Sequence, residues 1–501
     1  MSIKNSKKIL FLIIFLAIIL RIVNLENWPI IFHHDEALNG YEAYSILKTG
    51  RDHRNNPWPI FFEGFSDKID NRLPFYIYFS VPFVAIFGLN KFAVRLPAVI
   101  LGVLTVLITY YLAKELFEKE SIGLLSAFLL AISPWHIFLS RIGLEVISVP
   151  FFSVLTIFFF IKGVKKKKVF LLLSAISLAL LFYTYHIAKL FTPLLGITLL
   201  IFYWKEIGKN KFWLLISFLI FLIVSFPFLF LQISNWTRIQ GGFNQISIFN
   251  YSFWPILFIK NFLIYFSLKS LLNFYPIFTI LFFLISIIFF LKKEKELKLI
   301  LILFLVSLIP TSLTLPNPHS NRAVSAIPFV ELIAAFAPIK FLNETKKIKN
   351  LPFFKIVFSL ILLSFFLLNL NFLIKNDYPY NFCQTKFYIP KELIDYIKEN
   401  LNKYEKIVFT DKANQPYIFF LFFLKYDPKK FQSLNVEREY LLNNLQIVKS
   451  FDKFKFCDLN HCYHQNENNL YIARSNEISH LKPKKIFYDK EGSVYRIITN
   501  D

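Results

Sequence analysis

The residues best placed to do chemistry lie between 32 and 48, in Phe-His-His-Asp-Glu-Ala-Leu-Asn-Gly-Tyr-Glu-Ala-Tyr-Ser-Ile-Leu-Lys. Asp35 and Glu36 follow directly on the first hydrophobic segment, so two adjacent carboxylates stand at the mouth of a membrane. Ionisable groups at such a boundary are costly to keep and tend to be functional or paired. A carboxylate there can act as a general base toward a hydroxyl, or position one. The plain alternative is that Asp35 caps the helix that follows, accepting a backbone N–H at its start.

The rest of the chain must supply the membrane. Of 501 residues 55% are hydrophobic and 19% aromatic, and the mean hydropathy is +0.51. Apolar residues fall in blocks close to the roughly 20 needed to cross a hydrocarbon core. The composition is that of a mainly α, polytopic helix bundle. A net charge of +23 could suggest nucleic acid, but the lysines cluster in short loops between apolar blocks, where orientation signals and anionic-lipid contacts belong. Nucleic acid is therefore excluded as a partner, and the lipid bilayer is the expected one. The segment Leu10 to Leu25 follows Lys4, Lys7 and Lys8 and leads to no small-residue cleavage site, so it reads as a first span rather than a signal peptide.

Charge in the loops orders the spans. With Lys4, Lys7 and Lys8 cytoplasmic, the first span (about 9 to 25) delivers Asp35 and Glu36 to the outer face. The run Pro74 to Leu89 is short and holds Pro74 and Pro82. If it lies in the outer interface rather than crossing, Lys165 to Lys168 fall inside, as do the later clusters at Lys205 to Lys211, Lys292 to Lys298 and Lys346 to Lys349. The expectation is about eleven spans, at 9–25, 97–116, 121–139, 146–162, 169–186, 190–204, 212–231, 274–291, 299–315, 324–341 and 354–374. A loop with Gln240-Gly241-Gly242 and an amphipathic, interfacial 254–268 fall between the seventh and eighth. The module 1–374 would carry a first outer loop at 26–96, with interfacial helices, and 375–501 would form a small extracytoplasmic α/β domain.

In that domain a helix is expected over Pro390 to Tyr404, with strands at Lys406 to Thr410, Leu470 to Ala473 and Val494 to Thr499. Phe487 to Val494 reads as a hairpin, and Phe419 to Leu424 is too short to span. Cys457 and Cys462 can pair in an oxidising compartment. His461 and His464 beside them admit a metal site, although the spacing is not a standard one for zinc.

The same topology gathers Glu42, Asp70, Arg72, Arg95, Arg141, Glu145, His186, Lys189, Arg238, His319 and Arg322 with Asp35 and Glu36 on the outer face. The bland reading of each cation is headgroup contact or snorkelling. Both charge signs together suit one reaction. A sugar on a polyprenyl phosphate already carries a good leaving group, so one carboxylate can take a proton from an acceptor hydroxyl while cations hold the growing phosphate charge. A glycosidase would need two carboxyl groups flanking the bond, and no Gly-rich phosphate loop for a nucleotide sugar follows a strand.

A family resemblance rests on Arg21, Asp35-Glu36, Phe87-Gly88, Arg95-Leu96-Pro97, Tyr111 to Phe117, and Ser133-Pro134 with Arg141 and Glu145. These resemble the C-type-fold membrane glycosyltransferases, in particular the protein O-mannosyltransferase and aminoarabinose transferase group. The resemblance implies that Asp35 is the catalytic carboxylate, with Glu145 at the position of a second outer-loop acid. It implies that Tyr183 to Pro193, with His186 and Lys189, and Pro318 to Pro328, with His319 and Arg322, place cations near the donor phosphate. Arg141 would assist, and Glu36 or Glu145 would orient the acceptor or a divalent metal ion. Gln415-Pro416-Tyr417 and Tyr426-Asp427-Pro428 resemble the soluble tails of bacterial members. The implied activity is an inverting transfer from a polyprenyl-phosphate sugar to a glycan, lipid or protein acceptor at the outer face of a plasma membrane. The alternative is a polytopic transporter or lipid-carrier flippase, which predicts internal repeats and broken midplane helices.

Overall fold

A computed structural model describes residues 3–29, 31–65, 71–208, 211–234, 246–275, 277–290, 294–344, 367, 389–440, 446–465, 467–488 and 494–499. The chain begins with α1 (Ile3–Ile22) and α2 (His34–Thr49), then a two-stranded ribbon of β1 (Phe62–Glu63) and β2 (Asn71–Arg72). There follow α3 (Pro74–Phe87), α4 (Lys91–Phe117), α5 (Glu120–Ile132), α6 (Pro134–Leu139), α7 (Ser148–Lys165), α8 (Phe170–Leu180) and α9 (Ala188–Phe202). Further apolar helices include Lys211–Ser234, Ile277–Phe290 and Lys295–Ser312. Two compact units result, one of Met1–Asn24 with Ala98–Tyr378 and one of Leu25–Pro97 with Pro379–Asp501.

In the first unit, local chemistry sets where helices stop. Pro134 opens α6 at the position where a missing N–H costs nothing, and so separates α6 from α5. Hydroxyl side chains tie α7 to α8, Ser174 Oγ donating to the Thr156 carbonyl at 2.9 Å and Thr156 to Ser177 at 3.1 Å. Fully buried Arg21 donates to the carbonyls of Ala131 and Leu130 at the C-terminal end of α5, where Leu130 also accepts the Ser133 N–H, and meets His136 Nδ1 at 2.8 Å. Arg141 does the same for α1, donating to Leu20 O and Val23 O at 2.9 and 2.7 Å.

By length and composition, four stretches among the described residues can cross a membrane: Lys91–Phe117, Glu145–Lys165, Lys211–Ser234 and Val324–Leu342. Of the eleven or so expected, these four meet that measure. The runs expected at 121–139, 169–186, 190–204 and 274–291 contain shorter apolar helices, Glu120–Ile132, Phe170–Tyr183, Ala188–Phe202 and Ile277–Ile288. Apart from residue 367, the expected last span, 354–374, lies outside the described residues, as do the 240–242 loop and the loop lysines 346, 347 and 349. The run expected to lie in the interface is α3, whose 14 residues rise only about 21 Å, short of a core of about 30 Å.

In the second unit a seven-stranded mixed sheet runs in the order β4-β5-β6-β3-β7-β9-β8. Its strands are β3 (Lys406–Thr410), β4 (Glu437–Tyr440), β5 (Gln446–Phe451), β6 (Phe454–Cys457), β7 (Asn469–Arg474), β8 (Lys485–Tyr488) and β9 (Val494–Ile498). Central β3 is parallel to both β6 and β7, and the outer pairings are antiparallel. Three expected strands are β3, β7 and β9, and the expected helix is Lys391–Asn400. The expected hairpin joins β8 to β9, with its turn at 489–493 outside the described residues. Cys457 and Cys462 form a disulfide, which takes both thiols from any metal site there.

The helix Pro416–Phe423 explains the apolar run that was too short to span. It is buried along nearly its whole length, as a helix apolar on every side must be. Phe420 meets Phe409 and Phe454 of the sheet, while Phe422 meets Phe32 ahead of α2. The first-loop segment and the C-terminal sheet thereby share one hydrophobic core. Gly40 marks the closest approach, since a Cβ there would stand 2.4 Å from Val94 and 2.6 Å from Phe422. Gly40→Ala is therefore expected to lose about 1–3 kcal/mol by overpacking, seen as a lower melting temperature in detergent. The control Gly208→Ala, with nothing within 4 Å, is expected to melt like the parent.

Candidate active site

The first turn of α2 is built by a reciprocal cap. His33 Nδ1 accepts the backbone N–H of Asp35 at 3.2 Å, and Glu36 Oε2 accepts that of His33 at 3.1 Å. The capping box thus belongs to His33 and Glu36. Asp35 does not cap, which overturns the plain reading of that residue. Its carboxylate instead pairs with Arg72, and His34 Nε2 and His33 Nδ1 lie 3.3 and 3.4 Å from it. Asp35 keeps 21% of its side chain exposed while Arg72 keeps 7%, so the carboxylate is the member of the pair that solvent reaches. Burial by itself would raise the Asp35 carboxyl, but Arg72, His34 and His33 outweigh it and hold it well below the usual carboxylate range. His34 is pushed down to about 3, mainly by burial, and is neutral at physiological pH.

Glu36 has a different fate from its neighbour. Arg95 grips it in a fork, Nε to Oε1 at 2.8 Å and Nη2 to Oε2 at 3.1 Å, with both side chains almost fully buried. The remaining Arg95 donors reach the carbonyls of Leu25, Pro29 and Ile31. The oxygens of Glu36 are committed to Arg95 and the cap, a bidentate geometry that arginine alone supplies.

Two turns further along α2, Glu42 is wholly buried against His53, whose N–H donates to Glu42 Oε2 at 2.9 Å and whose ring contacts Oε1. Burial drives both toward their uncharged forms, the carboxyl up to about 8 and the imidazole down to about 3, so the contact holds one shared proton.

The cation-bearing segments lie in the first unit. His186 is exposed in the turn between α8 and α9, and Lys189 Nζ sits 5.7 Å from the Phe228 ring. His319 and Arg322 occupy the loop after Lys295–Ser312. Tyr265 accepts the His319 N–H at 3.2 Å, and Arg322 Nη1 donates to Leu315 O at 2.8 Å. Burial lowers Arg322, while Tyr185 and Tyr265 raise it. Burial and Arg322 hold His319 down at about 4, so at neutral pH it offers a hydrogen bond rather than a charge. Glu145 is buried in the single turn Glu145–Ile147 that leads into α7. Arg141, expected near phosphate, is placed at the end of α1.

Sequence reasoning counted Arg72 among the outer-face charges without assigning it to the carboxylate, and passed over His33 and His34. The available signal was the His-His pair directly before Asp35; the pairing of Arg72, 37 positions away, left none.

Residues 71–230 match the family model described as dolichyl-phosphate-mannose-protein mannosyltransferase. The Archaeoglobus fulgidus oligosaccharyltransferase tethered with an acceptor peptide superposes with a TM-score of 0.55 at 14% identity, covering 84% of this chain and 63% of that one. The fold is that of the C-type membrane glycosyltransferases. The archaeal oligosaccharyltransferase AglB from Archaeoglobus fulgidus, in complex with an inhibitory peptide and a dolichol-phosphate, gives 0.51 at 15% identity, with 81% and 62% covered. ArnT from Cupriavidus metallidurans, bound to undecaprenyl phosphate, gives 0.47 at 14%, with 65% and 59% covered. The chain spans about three-fifths of the length of these proteins. No curated protein matches it. The family match takes in Arg72, Arg141, Glu145, His186 and Lys189, and stops short of Asp35, His319 and Arg322.

The Glu42–His53 pair makes stability depend on pH. Between 4.5 and about 8 the folded chain keeps a Glu42 proton that the unfolded chain releases, so stability falls as pH rises. Between about 3 and 6.5 the unfolded chain binds a His53 proton that the folded one does not, so stability rises with pH. The two oppose each other up to 6.5, which leaves a net loss from 6.5 to 8. The expected melting temperature falls across that window in the parent and stays level in Glu42→Gln, a difference of roughly 2–4 °C. Equal slopes in the two proteins would contradict the shared proton.

Proposed function

We propose that this chain is an inverting membrane glycosyltransferase that moves a sugar from a polyprenyl-phosphate carrier to an acceptor hydroxyl at the outer face of the plasma membrane. The acceptor oxygen attacks the anomeric carbon, the bond from that carbon to the phosphate oxygen breaks, and the hydroxyl proton passes to Asp35. Lys189 and Arg322, with hydrogen bonds from His186 and His319, take up the charge left on the phosphate. Glu36 and Arg95 hold the start of α2 in place, and Glu145 stands as a second acid for orienting the acceptor. The observation that carries this reading is that Asp35 is kept ionised and partly open by Arg72 while His33 and Glu36 do the capping. The solved AglB neighbour, in complex with a dolichol-phosphate, supports a lipid-phosphate donor.

His33, His34 and Asp35 offer two nitrogens and an oxygen, all within 4.8 Å of one another, a donor set that suits a borderline divalent ion such as zinc. Bound there, such an ion would polarise an acceptor oxygen, and it would compete with Arg72 for the Asp35 carboxylate.

The test is sugar release from labelled polyprenyl-phosphate sugar in membranes carrying the chain. Asp35→Asn is expected to lower turnover by about 10²–10⁴-fold, and parental turnover in that variant would remove Asp35 as the base. Arg322→Ala is expected to weaken donor use by roughly tenfold or more through loss of a charge-assisted hydrogen bond. Passage of intact donor across vesicles with no transfer would favour a flippase.

A further inference from the structure

Arg72 is the partner that holds Asp35, yet little of Arg72's own position is secured by the ribbon that bears it. β1 and β2 pair over only two residues each, Phe62 with Arg72 and Glu63 with Asn71, and an isolated two-stranded ribbon is marginal even at greater length. What grips the β1 side adds to the hold that buried Leu73 and the start of α3 supply.

That grip comes from the C-terminal sheet. Arg54 Nη1 meets Glu63 Oε2 at 2.7 Å, and its Nη2 donates both to Gly64 O at 2.8 Å and to Gln446 Oε1 at 2.6 Å. The backbone N–H of Gln446, the first residue of β5, donates to Phe65 O at 2.8 Å. Gln415 Nε2 in turn donates to the Gln446 carbonyl at 2.8 Å, and Gln446 is 4% exposed. Phe65 closes the circuit, its ring edge-on to His34 at 4.8 Å and to Tyr417 of the C-terminal sheet domain at 6.4 Å. One guanidinium therefore joins the ribbon to the sheet, and the aromatic contact carries on to the imidazole beside Asp35.

We propose that Arg54 and Gln446 are positioning residues for the Asp35–Arg72 pair, so that the C-terminal sheet domain is a working part of the site. The proposal rests on the transferase reading of Asp35. Charge-assisted hydrogen bonds at buried sites are the strong ones, and Arg54 spends a planar fork on three acceptors that a lysine could not hold together. Slackening the fork lets β2 drift and weakens the hold of Arg72 on Asp35. The carboxylate then loses orientation, which lowers turnover.

The experiment uses the full chain in nanodiscs, with Arg54→Lys and Gln446→Ala as variants. Both are expected to lower kcat about tenfold to a hundredfold, with KM for the polyprenyl-phosphate sugar within about twofold of the parent. Hydrogen exchange is expected to quicken several-fold in the peptides carrying Phe62 to Phe65 and Arg72, and to stay unchanged in α7. A purely structural role would lower kcat only in step with the folded fraction, and that result overturns the proposal. Unchanged exchange at Arg72 in both variants overturns it as well, whatever the activity. If the parent itself transfers no sugar while exchange quickens as expected, the transferase reading fails and the clamp on Arg72 stands.

Discussion

A carboxylate surrounded by apolar side chains survives only if a cation, a set of N–H donors or a proton answers it, and α2 is organised by that constraint. Three acids within its first three turns meet it in three ways. Asp35 pairs with Arg72 at the rim and stays ionised. Glu36 is enclosed by the Arg95 fork and closes the helix cap. Glu42 shares a proton with His53 in full burial. Only the first arrangement leaves an ionised oxygen partly open to solvent, which is why the role of base is proposed for Asp35 and not for its neighbour in sequence.

The same constraint sorts the arginines. Arg21, Arg95 and Arg141 are buried, and each spends its donors on carbonyls at helix ends or in the loop before α2. A lysine could not replace them, since it lacks the planar set of five donors that several backbone oxygens require. His186, Lys189, His319 and Arg322 lie in a turn, a helix start and a loop, and Arg322 too donates to a carbonyl, that of Leu315. There the neighbouring phenols of Tyr185 and Tyr265 sit beside Arg322, and burial leaves His319 uncharged. A phosphate arriving at such a place would meet fewer full charges and more hydrogen bonds than a count of basic residues suggests.

The helix Pro416–Phe423 gives the C-terminal domain its purpose in the fold. Apolar on every side, it packs one flank on the sheet through Phe420 and another on the first-loop segment through Phe422 and Gly40. A segment of more than 70 residues is thus held by a core to which distant sequence contributes. Polar contacts repeat the link, with Tyr41 donating to the Tyr426 carbonyl and Gln432 reaching Ser45, Thr49 and Asp52. The geometry at Asp35 is therefore inherited from both ends of the chain.

Local pattern was enough for much of this. The adjacent acids after a first apolar segment, the short proline-bearing run at 74–89, the strands β3, β7 and β9 and the reading of 419–424 as too short to span all follow from periodicity, run length and turn residues, which act over a few positions. The resemblance to C-type transferases was legible for the same reason, since Asp35, Arg95, Arg141 and His186 each sit in short distinctive strings. What the sequence could not determine depends on contacts across long separations. Whether an acid is a cap, a locked partner or an open carboxylate was decided by Arg72, Arg95 and His53 arriving from elsewhere in the chain. Strands β4, β5 and β6 escaped notice because charged and apolar residues alternate weakly in them, and neighbouring strands stabilise them more than their own propensity does. Of the eleven crossings expected, length and composition bear out four among the described residues, since an apolar run can bend at a proline or a turn, as at Ser133-Pro134, and composition alone cannot see where a helix ends.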